Sequence, residues 1–256
     1  MDLGLSGRVY IVTGGSRGLG FATAQALVAD GAKVVIVSRS PDSVEAAVES
    51  LGSSAVGLAA DLAHEDTPTL ALELASGHFG QVDGGLISVG GPPGGSVLST
   101  TDEQWRNAFE SVFLGSVRMA RALCSAIGST GTDWAGAIAW VLSVSAIEVF
   151  PGLTTSNGLR PGLAMIVKDL ADEVGPVGIR VNGLLPGRLA TDRVLGMDRA
   201  TGDAEAARAR TSALIPLGRY GEPEEFGRVA AFVLSPAASY LTGGLIRVDG
   251  GSTRSI

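Results

Sequence analysis

Ser156 and Arg160 stand four residues apart in the stretch TTSNGLRPG (154–162), which is one turn of a helix, so both side chains can face one cavity. A hydroxyl and a guanidinium at that spacing can donate hydrogen bonds and positive charge to an oxyanion. They make a poor proton source, because serine is weakly acidic and arginine keeps its proton near neutrality. A second cluster, TGGSRGLG at 13–20, holds Gly14, Ser16, Arg17, Gly18, Leu19 and Gly20. Its glycines permit a tight turn and a close backbone approach to a pyrophosphate, at a helix N-terminus that favours anions. An NAD-type site needs a carboxylate about 20 residues further on for the ribose 2′-hydroxyl. Ser38 and Arg39 occupy that place. Together with Arg17 they supply two planar, permanently charged forks suited to a 2′-phosphate, so NADP(H) is the expected cofactor rather than NAD(H). The competing reading is two solvated surface arginines.

The elements that must position these residues follow from periodicity. RVYIVT (8–13), KVVIVS (33–38), SAVGLAA (54–60), GGLISV (84–89), AIAWVLSV (137–144), IRVNGLL (179–185) and LIRVDG (245–250) read as strands. Several are apolar on both faces, as in a parallel sheet covered on both sides. Helical patterns fill 18–29, 41–50, 66–77, 102–127, 158–174 and 223–234, with Ser40–Pro41 a clear helix start. Such alternation implies an α/β fold: a doubly wound (Rossmann) parallel sheet with helices on both faces, one domain over 1–256. Residues 186–222 break the pattern beyond the carboxyl end of a strand, where ligands bind in this architecture. A substrate lid at 188–215 is expected there, with a plain surface helix as the alternative. Pro161 is tolerated only in a first helical turn, so its helix should begin around 157–160, leaving Ser156 as a possible N-cap.

Composition narrows the partners. The chain has 256 residues and a net charge of -7 from 19 basic and 26 acidic side chains, which argues against nucleic acid while leaving room for a local basic pocket. At this size a core forms without a metal or disulfide. The one cysteine, Cys124, lies in an apolar helical pattern and reads as a small core residue. The opening MDLGLSGRVY is no secretory leader, and no apolar run approaches the ~20 residues of a membrane span. A cytoplasmic protein with a small-molecule substrate is the expectation.

TGGSRGLG, LLPGRLATD, PLGRYGEPEEFGRVAAFVLSPAASYLTGG and IRVDGG together resemble the short-chain dehydrogenase/reductase family, nearest in flavour to the 3-oxoacyl-carrier-protein reductases. The likeness runs from about residue 5 to the C-terminus. It implies seven parallel strands, a nicotinamide cofactor and a homotetramer or homodimer. By the same resemblance Asp61 and Leu62 border adenine, and Gly90, Pro186, Gly187 and Thr191 border the nicotinamide half. The family's chemistry rests on an Asn on a helix, a Ser after the fifth strand, and a Tyr and Lys four apart. Counting from DLADEVGPVGIRVN, the Tyr position falls on Ser156 and the Lys position on Arg160. The Ser position falls on Ser143, and the Asn position on Val112. The usual NNAG is ISVG here (87–90), keeping only Gly90.

Three of four catalytic positions therefore depart while the cofactor positions stay. Glu148, five residues past Ser143, is the best-placed titratable group and is expected to act as acid or base with a raised pKa, or else to be a solvated carboxylate. Arg160, Arg188 and Arg193 lie on segments that should converge, which would suit a carboxylate or phosphate on the ligand; surface charge is the alternative. Two functions stand: an NADP(H)-dependent oxidoreductase of a carbonyl or alcohol with a Ser/Arg site, or a catalytically degenerate or non-redox member of the family.

Overall fold

The computed structural model describes residues 2–92, 94–127 and 135–255. Strands β1 (Val9–Thr13), β2 (Lys33–Ser38), β3 (Ala55–Ala59), β4 (Gly84–Ile87), β5 (Gly136–Val141), β6 (Ile179–Pro186) and β7 (Leu245–Val248) form one sheet. Its order is β3-β2-β1-β4-β5-β6-β7, and every neighbouring pair is parallel. The helices are α1 (Gly18–Ala29), α2 (Pro41–Leu51), α3 (Thr67–Phe79), α4 (Asp102–Ala108), α5 (Gly115–Ile127), α6 (Thr154–Val174), α7 (Asp192–Arg199), α8 (Ala204–Ser212) and α9 (Pro223–Leu234).

Alternation along each strand sorts the side chains into two cores. Val9, Ile11, Val35, Val37, Ile138 and Trp140 pack with α3, α5 and α6. Tyr10, Val12, Val34, Ile36, Ala137 and Ala139 pack with α1, α2 and α9. Each fully buried valine or isoleucine contributes about 1.5–3 kcal/mol, which explains why these strands are apolar on both faces. Cys124 is half-buried against the first core, and burial pushes its thiol up to about 11, so it is not a reactive thiolate.

The strand order reverses direction between β1 and β4, which opens a crevice at their carboxyl ends. Thr13 and Ser88 line that opening. The Thr13 hydroxyl donates to the Ser88 carbonyl and accepts from the Ser88 N–H, both at 2.9 Å.

Two local expectations need correction. The single helix expected over 102–127 contains a π-helical stretch, Phe109–Leu114, between α4 and α5. Helix α6 begins at Thr154, not at 157–160, so Ser156 is its third residue and not its N-cap. Asn157 secures the early start. Its N–H donates to the Leu153 carbonyl at 2.8 Å, and its side chain bonds both backbone groups of Phe150. Pro161 thus sits inside the helix, where it costs the bond to the Asn157 carbonyl.

Candidate active site and cofactor cradle

The glycine turn joins β1 to α1 at the crevice. A Cβ on Gly20 would run into the Gly14 carbonyl oxygen, and backbone there cannot step aside. Gly20→Ala is expected to lower the melting temperature and weaken dinucleotide binding about 10-fold or more, read by thermal unfolding and fluorescence titration. Arg17 precedes α1 without a side-chain cap, and no acid lies in the first turn, so the helix dipole is open to an anion.

Ser16 and Ser38 meet across the cradle, their hydroxyl oxygens 2.9 Å apart. Arg17 and Arg39 flank this contact in sequence and are exposed; neither guanidinium has a hydrogen bond or ion pair among the described residues. That donor set suits a phosphate on the adenosine ribose and lacks the carboxylate that would repel it. Asp61 closes a turn ahead of α3, accepting from the Ala63 N–H at 3.0 Å, with Leu62 buried beside it. Gly90 is exposed past β4, Pro186 ends β6, and Gly187 follows it. Thr191 caps α7, and its methyl lies 3.6 Å from where a Gly18 Cβ would project, so α7 starts against the glycine turn.

The hydroxyls and the arginine meet where β5, the turn after it and α6 converge. Ser143 accepts from the Ser145 N–H at 3.1 Å. Ser145 and Ser156, both buried, bring their hydroxyls to 2.8 Å. One turn on, Arg160 donates through Nη1 to the Val141 carbonyl at 2.6 Å. Sequence reasoning missed Ser145. Its spacing of two from Ser143 carries no signal until the short 3₁₀ turn Val144–Ala146 swings it toward α6.

Other positions are less equipped for proton transfer. Val112 is buried within the π-helical stretch, has no polar side-chain atom, and its carbonyl accepts from the Ser116 hydroxyl at 2.7 Å. The tyrosines lie elsewhere: Tyr10 donates to the Leu234 carbonyl, Tyr220 to Asp198, and Tyr240 is fully exposed.

Glu148 departs from expectation. Its Oε1 accepts from the N–H groups of Arg254 and Ser255, each at 2.8 Å, and these bonds from the C-terminal tail lower its pKa where a raised one was expected. A depressed carboxyl pKa means the tail contact is formed above the ordinary carboxylate range and is lost as pH falls through the lowered value. Glu148→Ala is expected to speed amide exchange at Arg254 and Ser255 about 10-fold at neutral pH, measured by hydrogen exchange. Arg188 also departs, lying 4.0 Å from Asp198 rather than joining Arg160. Arg193 does turn toward the site, donating to the carbonyls of Gly91 and Pro92.

Residues 14–253 match the family model described as enoyl-(acyl carrier protein) reductase. The short-chain reductase protein NovJ of Streptomyces niveus is 32% identical over 247 residues, 95% of this chain and 93% of that one. The chain belongs to the short-chain dehydrogenase/reductase family. The 3-oxoacyl-[acyl-carrier-protein] reductase FabG of Escherichia coli (strain K12) is 31% identical over 249 residues, covering 97% of this chain and 98% of that one. L-sorbose reductase from Gluconobacter frateurii, solved with NADPH and L-sorbose, superposes with a TM-score of 0.94 at 28% identity over the full length of both chains. As a short-chain dehydrogenase/reductase, this chain is an oxidoreductase by kinship with reductases and dehydrogenases. No helix among its described residues is long and apolar enough to cross a membrane.

Proposed function

We propose that this short-chain dehydrogenase/reductase is an NADP(H)-dependent oxidoreductase of a carbonyl or alcohol substrate, working with serine hydroxyls and an arginine where the family uses tyrosine and lysine. The observation that carries the reading is the pair of unpartnered guanidinium groups, Arg17 and Arg39, beside the Ser16–Ser38 contact. The open N-terminus of α1 takes the pyrophosphate, with Gly14, Gly18, Leu19 and Gly20 shaping the turn. Asp61 and Leu62 border the adenine, and Gly90, Pro186, Gly187 and Thr191 the nicotinamide half, as the family correspondence assigns them. When bound, NADP(H) supplies or accepts the hydride.

The protein's own contribution is to hold and polarise the substrate oxygen. If Ser145 donates to Ser156, the Ser156 O–H is free to donate onward, and Arg160 adds positive charge nearby. Ser143 is the third hydroxyl of this group. Glu148, an acceptor of two backbone N–H groups, stays ionised at neutral pH and is not the proton donor, so the proton comes from water. Loss of a positioned acid costs about 10²–10⁴ in rate, or about 3–5 kcal/mol, and suits a substrate whose carbonyl is already electron-poor.

The second reading, a non-redox or degenerate member, draws on one observation: Ser156 and Arg160 already bond to protein partners. Titration of the purified protein with NADPH and NADH, followed by fluorescence, separates the cases. NADPH binding at micromolar levels with much weaker NADH binding supports the cofactor assignment; equal or absent responses remove it. NADPH bound tightly but never oxidised by activated ketones or quinones favours the second reading.

A further inference from the structure

Two arginines of this chain have the same burial and different surroundings. Arg180 is 5% exposed, and its Nη atoms donate to three carbonyls, Val233, Leu241 and Ser235, at the C-terminal end of α9 and just past it. The negative end of a helix dipole thus answers its charge. Arg160 is also 5% exposed, and both arginines leave Nε buried with no partner, yet Arg160 has a single carbonyl partner, Val141, where Arg180 has three. It takes part in no ion pair among the described residues. A buried guanidinium with so little compensation is costly, and folded proteins ordinarily match such a charge.

Arg193 increases the imbalance. From α7 it reaches the carbonyls of Gly91 and Pro92, just beyond β4, the strand beside β5 from which Val141 holds Arg160. A Cβ on Gly91 would collide with that guanidinium, so glycine makes the approach possible. Arg193 likewise has no carboxylate partner among the described residues. The two cations also sense each other: burial first, then the Arg193 charge, pushes Arg160 down to about 10, so it remains protonated at neutral pH.

The 2′-phosphate of the proposed cofactor would lie too far from Arg160 to supply the missing charge. Arg17 and Arg39, over β1 and β2, would hold it, and the glycine turn after β1 would hold the pyrophosphate. From β2 to β5 is three strand spacings, about 14 Å, and from β1 to β5 it is two, about 10 Å. We infer that Arg160 and Arg193 bind an oxyanion on the substrate itself, which makes the substrate a carbonyl or alcohol compound bearing a carboxylate or phosphate. This inference rests on the reading of the chain as an NADP(H)-dependent oxidoreductase, and it narrows the substrate class of that site. Each guanidinium has donors left over: one of Arg160's five and two of Arg193's five bond to carbonyls among the described residues.

Isothermal titration of the full chain, with and without saturating NADP⁺, tests it using phenylglyoxylate, its neutral methyl ester and inorganic phosphate as probes. The expected result is that phenylglyoxylate binds about 10–100-fold more tightly than the ester, the range of one or two charge-assisted hydrogen bonds. Arg193→Met, at an exposed position of α7 with folding checked by thermal unfolding, should abolish most of that preference; Arg160→Gln should do the same if it folds. Phosphate competing with phenylglyoxylate for the same site supports a phosphate-bearing substrate, and failure to compete supports a carboxylate. Equal binding of acid and ester, binding of neither anion, or an acid preference untouched by Arg193→Met overturns the inference. Because dinucleotide affinity is measured in the same series, loss of NADP⁺ binding with the acid preference intact would count against the cofactor reading alone.

Discussion

Replacing Ser156 by tyrosine together with Arg160 by lysine is expected to raise NADPH-dependent reduction of a neutral, activated ketone by about 10²–10⁴-fold, the usual worth of a positioned general acid. A phenol with pKa near ~10, brought down by an adjacent ammonium, is a far better proton source than an alkyl hydroxyl. The two positions lie one turn apart on α6, beside Ser143 and Ser145, so the new pair would enter an existing cluster of hydroxyls. Both changes are needed. Groups that act as a unit give little when restored singly, and Arg160 left in place would keep its proton and its hold on Val141. Single-turnover rates at saturating NADPH are the measurement. A gain below about 10-fold with the cofactor still bound would mean that the pocket has been reshaped around another task.

The second large effect concerns the other end of the cradle. Arg17→Ala with Arg39→Ala is expected to weaken NADPH binding by about 10²–10³-fold and NADH binding by only a few-fold, since each charge-assisted contact to a phosphate is worth about 1.5–3 kcal/mol. Both side chains are exposed and lack protein partners, so the fold loses nothing with them. Fluorescence titration with the two dinucleotides decides the matter. An equal loss for both would move the arginines from the 2′-phosphate to the pyrophosphate.

How much of this was legible without coordinates depended on whether the signal was local. The glycine turn, the paired faces of β1, β2 and β5, and the Ser40–Pro41 start of α2 are short-range patterns, and they appear where expected. The reading of Pro161 failed because a rule about one residue met a competing anchor. Asn157 ties the first turn of α6 to Phe150, and that offsets one lost backbone bond. The π-helical stretch FESVFL looks like ordinary helix because its extra residue per turn has no composition of its own. The raised pKa expected of Glu148 is reversed for a different reason: its partners, Arg254 and Ser255, are more than a hundred residues away. Arg188 and Arg193, five apart, could not be told apart by spacing; one turns to Asp198 and the other to the loop after β4.

A crystal structure of the chain with NADP⁺ bears most directly on the central claim, that the dinucleotide cradle is kept while the hydroxyl beside the nicotinamide belongs to serine. The expected result is a 2′-phosphate between Arg17 and Arg39, with Ser143 and Ser156 as the hydroxyls nearest the reactive carbon of the nicotinamide ring. A tyrosine oxygen within contact range of that carbon, or a cradle that leaves the adenosine half outside, would contradict it.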